Sequence, residues 1–248
     1  MADAPETVDD GPLTPPAPSL RRVVVVVGPL IAAFLVLALL IVHPWHKRES
    51  GVGFGNLGAA PSYTLTDQNA KQVSSSAFNG KIQVVSFLFP FCTTYCPYTT
   101  HQLSVLEKRL ADAGLADKVQ FVAFNLAPAD SGPSDLATYL SQYGVAPTDP
   151  HWSFLTGTQA DVDAAVRGTF GVQYQKIPLD TGHPNGADAV PVQPNALAEA
   201  KHVNFDIVHN EVITIVGPDG VIRGAFDHVV DVTTNELYDT VTKLLAAS

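Results

Sequence analysis

The chain of 248 residues holds only two cysteines, and both fall in Phe91-Cys92-Thr93-Thr94-Tyr95-Cys96-Pro97. Proline is favoured at the first position of a helix, so Pro97 places Cys96 at the N-cap and Cys92 in the turn before it. The partial positive charge of a helix start stabilises thiolates and lowers the thiol pKa below about 8.5. One turn of separation lets two sulfurs either close a disulfide or grip one metal ion. Two unreactive buried thiols are the plainer alternative, but Thr-Thr-Tyr between them is not a core segment.

A third ligand would discriminate metal binding from thiol redox chemistry. Thiolates are soft donors that favour Cu(I) and also zinc. A structural zinc site closes with four ligands, which two cysteines leave short, whereas copper accepts a Cys-Cys-His set. Eight histidines are available. His43 and His46 flank an apolar segment, and His101 lies at an exposed helix start. His151, His183, His202 and His228 fall in loops or at element ends, where a solvated role is expected. His209 differs, because it directly precedes the apolar strand Glu211–Val216 and so stands at the lip of a sheet. Methionine-based copper carriage is excluded, since the only methionine is Met1.

These residues need a scaffold. Lys81–Phe89 (KIQVVSFLF) is apolar and β-branched, as in a fully buried strand. Leu103, Leu106 and Leu110 mark one face of the helix that follows the cysteines, and Gly114 ends it. Val119–Leu126 is a second buried strand, Ser134–Tyr143 a helix and Trp152–Leu155 a short strand. Gln159–Phe170 is helical, started by Thr158 or Asp161. Tyr63–Thr66 is a short strand. Lys176–Lys201 carries four prolines and two glycines and reads as a long irregular loop. Glu211–Val216, the turn Gly217-Pro218-Asp219-Gly220 and Val221–Phe226 form a β-hairpin. Leu237, Val241, Leu244 and Leu245 mark a terminal helix. The βαβ first half implies parallel strands and the hairpin adds antiparallel ones. The expected fold is α/β: a thioredoxin-like central mixed sheet flanked by helices, preceded by one N-terminal transmembrane helix.

That last element is Val23–Val42, twenty residues without a charge, long enough to span a bilayer. No small-residue cleavage site follows it, so an uncleaved anchor is expected, with Trp45 at the interface. The expected organisation is a disordered tail at 1–22, the anchor at 23–42, a flexible linker at 43–60 and a thioredoxin-like domain at 61–248. Arg21 and Arg22 on one side balance Lys47 and Arg48 on the other, so charge does not orient the anchor. A short tail and a large C-terminal domain suggest a single pass through the cell membrane with the domain extracytoplasmic. The net charge of −10, with no basic patch, argues against nucleic acid as a partner.

FLFPFCTTYCP with its following helix, Phe154-Leu155-Thr156-Gly157, Phe170-Gly171-Val172 with Tyr174 beyond, and His209 eight residues before Gly217-Pro218-Asp219-Gly220 together resemble the SCO/SenC family. The likeness covers roughly residues 56–246 and the anchor. It implies a membrane-anchored copper protein of thioredoxin fold that assists cytochrome c oxidase assembly. Cys92 and Cys96 match the family's thiolate ligands and His209 its distal histidine ligand, for Cu(I) or Cu(II). The implied partner is the copper-receiving subunit of the oxidase, whose binuclear centre is given copper or whose cysteines are reduced. Three departures stand out. Thr93-Thr94 replaces a usual Pro-Asp, Asn125–Asp130 replaces a usual Val-Asp-Pro phrase, and 176–206 is longer than usual.

Two other classes remain open. A thiol–disulfide oxidoreductase would use Cys92 and Cys96 with no metal, although its usual spacing is two intervening residues rather than three. An interaction protein would dock through 176–206, where His183 and His202 could help admit copper. A peroxiredoxin-like peroxidase would need a distant resolving cysteine, which the sequence lacks.

Overall fold

The computed structural model describes residues 55–178, 197, 201, 203 and 205–247. The expected tail, anchor and most of the linker lie outside these residues, as do His183 and His202. Among the described residues no helix is long and apolar enough to cross a membrane.

In chain order the strands are β1 (Thr64–Thr66), β2 (Gln72–Ser74), β3 (Ile82–Leu88), β4 (Val119–Asn125), β5 (Trp152–Leu155), β6 (Tyr174–Pro178), β7 (Phe205–His209), β8 (Val212–Val216) and β9 (Ile222–Asp227). The main helices are α1 (Tyr95–Asp112), α2 (Pro133–Gln142), α3 (Gln159–Asp163, continuing as a π-helical stretch over Ala164–Thr169) and α4 (Thr234–Ala247). Five strands form the central sheet in the order β5-β4-β3-β8-β9. β3, β4 and β5 run parallel, and β8 and β9 are antiparallel additions. This is the mixed, thioredoxin-like sheet the sequence predicts.

All seven residues of β3 and all seven of β4 are buried, as befits strands covered on both faces. Alternation then sorts the layers. Tyr139 of α2 meets Phe154, which is registered with Ala123, and its hydroxyl bonds Thr100 of α1 at 2.8 Å. Phe170 packs on Phe87 and Phe124, on the opposite face. Helix α4 packs on α1, with Arg109 donating to Asn235 at 2.7 Å and lying 4.3 Å over the Tyr238 ring. Each fully buried leucine or isoleucine in these layers contributes about 1.5–3 kcal/mol.

Punctuation follows from local chemistry. Gly114, at φ +69°, lets its own N–H reach Ala111 O at 2.9 Å and the Leu115 N–H reach Leu110 O at 2.8 Å, the paired bonds that close a helix at glycine. Thr158 starts α3, accepting from the Asp161 N–H at 3.2 Å. In the β8–β9 turn, Gly220 has φ +73° and donates to Gly217 O at 2.9 Å.

Three expectations need correction. α1 begins at Tyr95, not Pro97, so Cys96 is the second helical residue rather than the N-cap, which is Thr94. The stretch from Lys176 is not wholly irregular: Tyr174–Pro178 pairs antiparallel with Phe205–His209. The linker is shorter than 43–60, because Leu57 donates to Ile222 O at 3.0 Å and Ala60 to Gly220 O at 2.8 Å.

Asn125, fully buried at the end of β4, governs the loop after it. Its amide nitrogen reaches Ser131 O (3.2 Å), Ser131 Oγ (3.0 Å) and Thr156 Oγ1 (3.1 Å), and its oxygen accepts from Ala127 N at 3.0 Å. Asn125→Ala strands these partners and is expected to cost about 3 kcal/mol, given about 1–3 kcal/mol per buried unsatisfied group. His101→Ala, on the exposed face of α1, should stay within about 0.5 kcal/mol. Urea unfolding of both variants is the check.

Candidate metal centre

The parallel strand β3 ends at Leu88, and Phe89-Pro90-Phe91 carries the chain over its end. A turn closes with the Cys92 N–H on Phe89 O at 3.1 Å. Helix α1 then starts without a side-chain cap from Thr94. The sulfur of Cys92 takes that place: it accepts from the Cys96 N–H at 3.4 Å and lies 3.4 Å from Thr94 Oγ1. The two cysteines are thiols, not a disulfide, and are only 3% and 1% exposed.

Their environments push the two thiols apart. Hydrogen bonding from the Cys96 thiol brings Cys92 down to about 7, helped by Thr94 and the backbone N–H of Cys96, against the opposing effect of burial. Burial drives Cys96 well above the usual thiol range, and its hydrogen bond to Cys92 adds to this. Near neutral pH the pair therefore shares one proton, with negative charge on Cys92.

His209 reaches the site from a different element. It ends β7 and is registered with Tyr174 of β6. The Tyr174 hydroxyl donates to Asp163 at 2.5 Å. Arg167 lies 4.0 Å over its ring and donates to its carbonyl at 2.7 Å. At the other end of the hairpin, Phe205 stacks on Phe89 at 6.0 Å and meets Phe91 edge-on at 6.3 Å. Lys176 places its ammonium 3.7 Å from the Phe205 ring centre and pairs with Asp130 at 2.7 Å. His209 Nδ1 is 3.1 Å from Asn210 O, so a proton donated there leaves the Nε2 lone pair available. Burial lowers the His209 pKa and favours the neutral, ligating form.

Cys96 and His209 line one cleft, walled by Leu88, Val212 and Val229. Glu211 lines it too, and sequence reasoning missed this residue. Burial, and then the charge of Cys92, raise its carboxyl to about 7. The three expected ligands approach one another but do not close: their donor atoms are not all within 4.8 Å. Among the described residues the one set of three that meets this spacing is Glu107, Asp149 and His151. His151, expected to be solvated, is half-buried there, 3.2 Å from Asp149 and 3.2 Å from Asp117, while Trp152 donates to Glu107 at 2.7 Å. No spacing signal in the sequence linked these residues.

Fold and site together define a thioredoxin-fold protein with a helix-start dithiol facing a histidine from an added hairpin. The SCO1/SenC family model matches residues 56–246, and the chain belongs to that family. It is 24% identical over 168 residues to the SCO1 protein homolog of Bacillus subtilis, covering 67% of this chain and 72% of the relative. Its structure resembles that of Bradyrhizobium japonicum ScoI with copper bound, with TM-score 0.57 and 21% identity over 75% of this chain and 99% of that one. Arabidopsis thaliana ScoI with copper bound matches with TM-score 0.59 and 17% identity, over 77% and 100%. At these identities the likeness establishes the fold.

The asymmetry of the thiols has a direct readout. In metal-free, reduced protein, thiolate absorbance in the far ultraviolet should rise with a midpoint near pH 7, fully developed above it and lost below it. Cys92→Ser should abolish that step. Cys96→Ser should leave a thiolate that forms at higher pH, because the principal stabilising hydrogen bond is gone.

Proposed function

We propose that this protein is a membrane-anchored, extracytoplasmic copper metallochaperone that holds copper through Cys92, Cys96 and His209. The observation that carries this reading is the shared cleft of Cys96 and His209, with the Cys92 sulfur bonded to the start of the same helix. Membership of the SCO1/SenC family and the copper-bound state of two structural neighbours support it.

The donor set fits the cargo. Two thiolates suit Cu(I), and a neutral imidazole serves both oxidation states. A low thiol pKa at Cys92 favours the thiolate that copper needs. The high value at Cys96 means that binding releases a proton from that thiol. The proposed recipient is the copper-receiving subunit of cytochrome c oxidase. Exposed thiolates on such a partner would replace the bound donors one at a time. The organisation proposed is a tail at 1–22, an anchor at 23–42, a linker from 43 and a copper-binding domain that takes in residues 57–60.

A second reading rests on the unequal thiols. A stabilised Cys92 thiolate beside a protonated Cys96 is the arrangement of a thiol–disulfide oxidoreductase, in which one sulfur attacks and the other resolves. It would reduce the recipient's cysteines without carrying metal.

Loading separates the two. Reduced protein spanning residues 50–248 is expected to retain one copper per chain after desalting. With Cu(II) it should show a thiolate-to-metal charge-transfer band. His209→Ala should weaken Cu(II) binding by about 100-fold or more, beyond the effect usual for outer-shell partners. Loss of all copper on desalting, with reversible formation of a Cys92–Cys96 disulfide, would favour the reductant. The anchor has its own check: full-length protein should sediment with membranes and the 50–248 form should not.

A further inference from the structure

We infer that Glu211 is a fourth donor to copper held by Cys92, Cys96 and His209, an anionic oxygen ligand that selects Cu(II) over Cu(I). This rests on the metal-site reading above and deepens it.

Position supplies the first argument. β7 ends at His209 and β8 begins at Val212, so Glu211 sits in the two-residue link between them. That link is held in place. The Asn210 N–H donates to Gln173 O at 3.3 Å, and the Asn210 side-chain oxygen accepts from the Gln173 N–H at 2.8 Å. His209 and Glu211, two residues apart in the chain, both line the cleft that Cys96 lines.

The carboxylate itself supplies the second argument. Glu211 is half-buried, and no hydrogen bond or ion pair from another described residue reaches it. Three other carboxylates near the hairpin pair with cations, while half-buried Asp206 accepts, among the described residues, only from the Ile207 N–H at 2.8 Å. Asp130 pairs with Lys176, Asp135 with Lys201, and Asp163 with Arg167. Drawing a carboxylate partly out of water is costly, and a metal cation in the cleft would offset that cost.

Chemistry assigns the oxidation state. Two thiolates and an imidazole suffice for Cu(I), which prefers few, soft ligands. Cu(II) takes four donors in a tetragonal array and accepts nitrogen and oxygen. Charge acts in the same direction. Two thiolates already neutralise Cu(II), whereas they overcompensate Cu(I), so a further negative charge in a partly dry cleft disfavours Cu(I) more.

The test uses the full chain in detergent and compares wild type, Glu211→Gln, Glu211→Asp and His209→Ala. Cu(I) and Cu(II) affinities are measured by competition with chelators of known strength, and Cu(II) EPR is recorded. Glu211→Gln is expected to weaken Cu(II) by about tenfold or more while Cu(I) affinity stays within about twofold, with an altered EPR hyperfine pattern. Glu211→Asp should recover part of the Cu(II) affinity. Unchanged Cu(II) affinity and EPR in Glu211→Gln, with His209→Ala impaired, would overturn the fourth donor and leave the three-ligand site standing. Equal loss of Cu(I) and Cu(II) in Glu211→Gln would overturn the selection. Failure of the wild type to bind either ion would overturn the site as a whole.

Discussion

The packing of Phe205 against Phe89 and Phe91 is the contact on which the site depends. The two cysteines need only one strand and one helix to meet. His209 needs more, because β6 and β7 form a separate two-stranded sheet that shares no ladder with the central five strands. An isolated hairpin is marginal in water. Here it is clamped at both ends. Phe205 seats one end on the segment that leads to Cys92. Tyr174, held by Asp163 and Arg167, fixes the other end opposite His209. The same aromatic rings thus set both the height of the cysteine turn and the reach of the histidine.

The start of α1 shows how one sulfur serves two demands. The first N–H groups of any helix lack partners within it. Thr94 leaves them uncapped, and the Cys92 sulfur takes one. The bond that completes the helix is among those that stabilise the thiolate, so the fold and the reactivity of Cys92 share a cause. Cys96, one turn further in, gains no comparable stabilisation and remains protonated through burial.

Much of this was legible in the sequence. The runs 82–88 and 119–125 announce buried strands by their unbroken apolar character, and Gly114 and Gly217–Gly220 announce their turns by chemistry that few other residues supply. The cysteines and His209 stand out by type and spacing. What was not legible depends on distance along the chain. β6 and β7 pair across an intervening stretch rich in proline, so no local periodicity marks them. The first turn of α1 precedes Pro97 because burial of Cys96 and the bond of its N–H to the Cys92 sulfur, not propensity, set the boundary. Glu211 reads as an ordinary polar residue before a strand until the cleft shows what it faces. His151 reads as a loop histidine until Glu107 and Asp117 arrive from elsewhere to join its neighbour Asp149.

Residues 57–60 lie along the start of β9, beside the Gly217–Gly220 turn, and that turn contacts the opening of β3 through Gly80. The cysteines sit past the other end of β3. The polypeptide therefore enters the domain at the pole opposite the cleft. The rim of the cleft is thus clear of the incoming chain, and a partner that docks there leaves the pairing of residues 57–60 with β9 undisturbed.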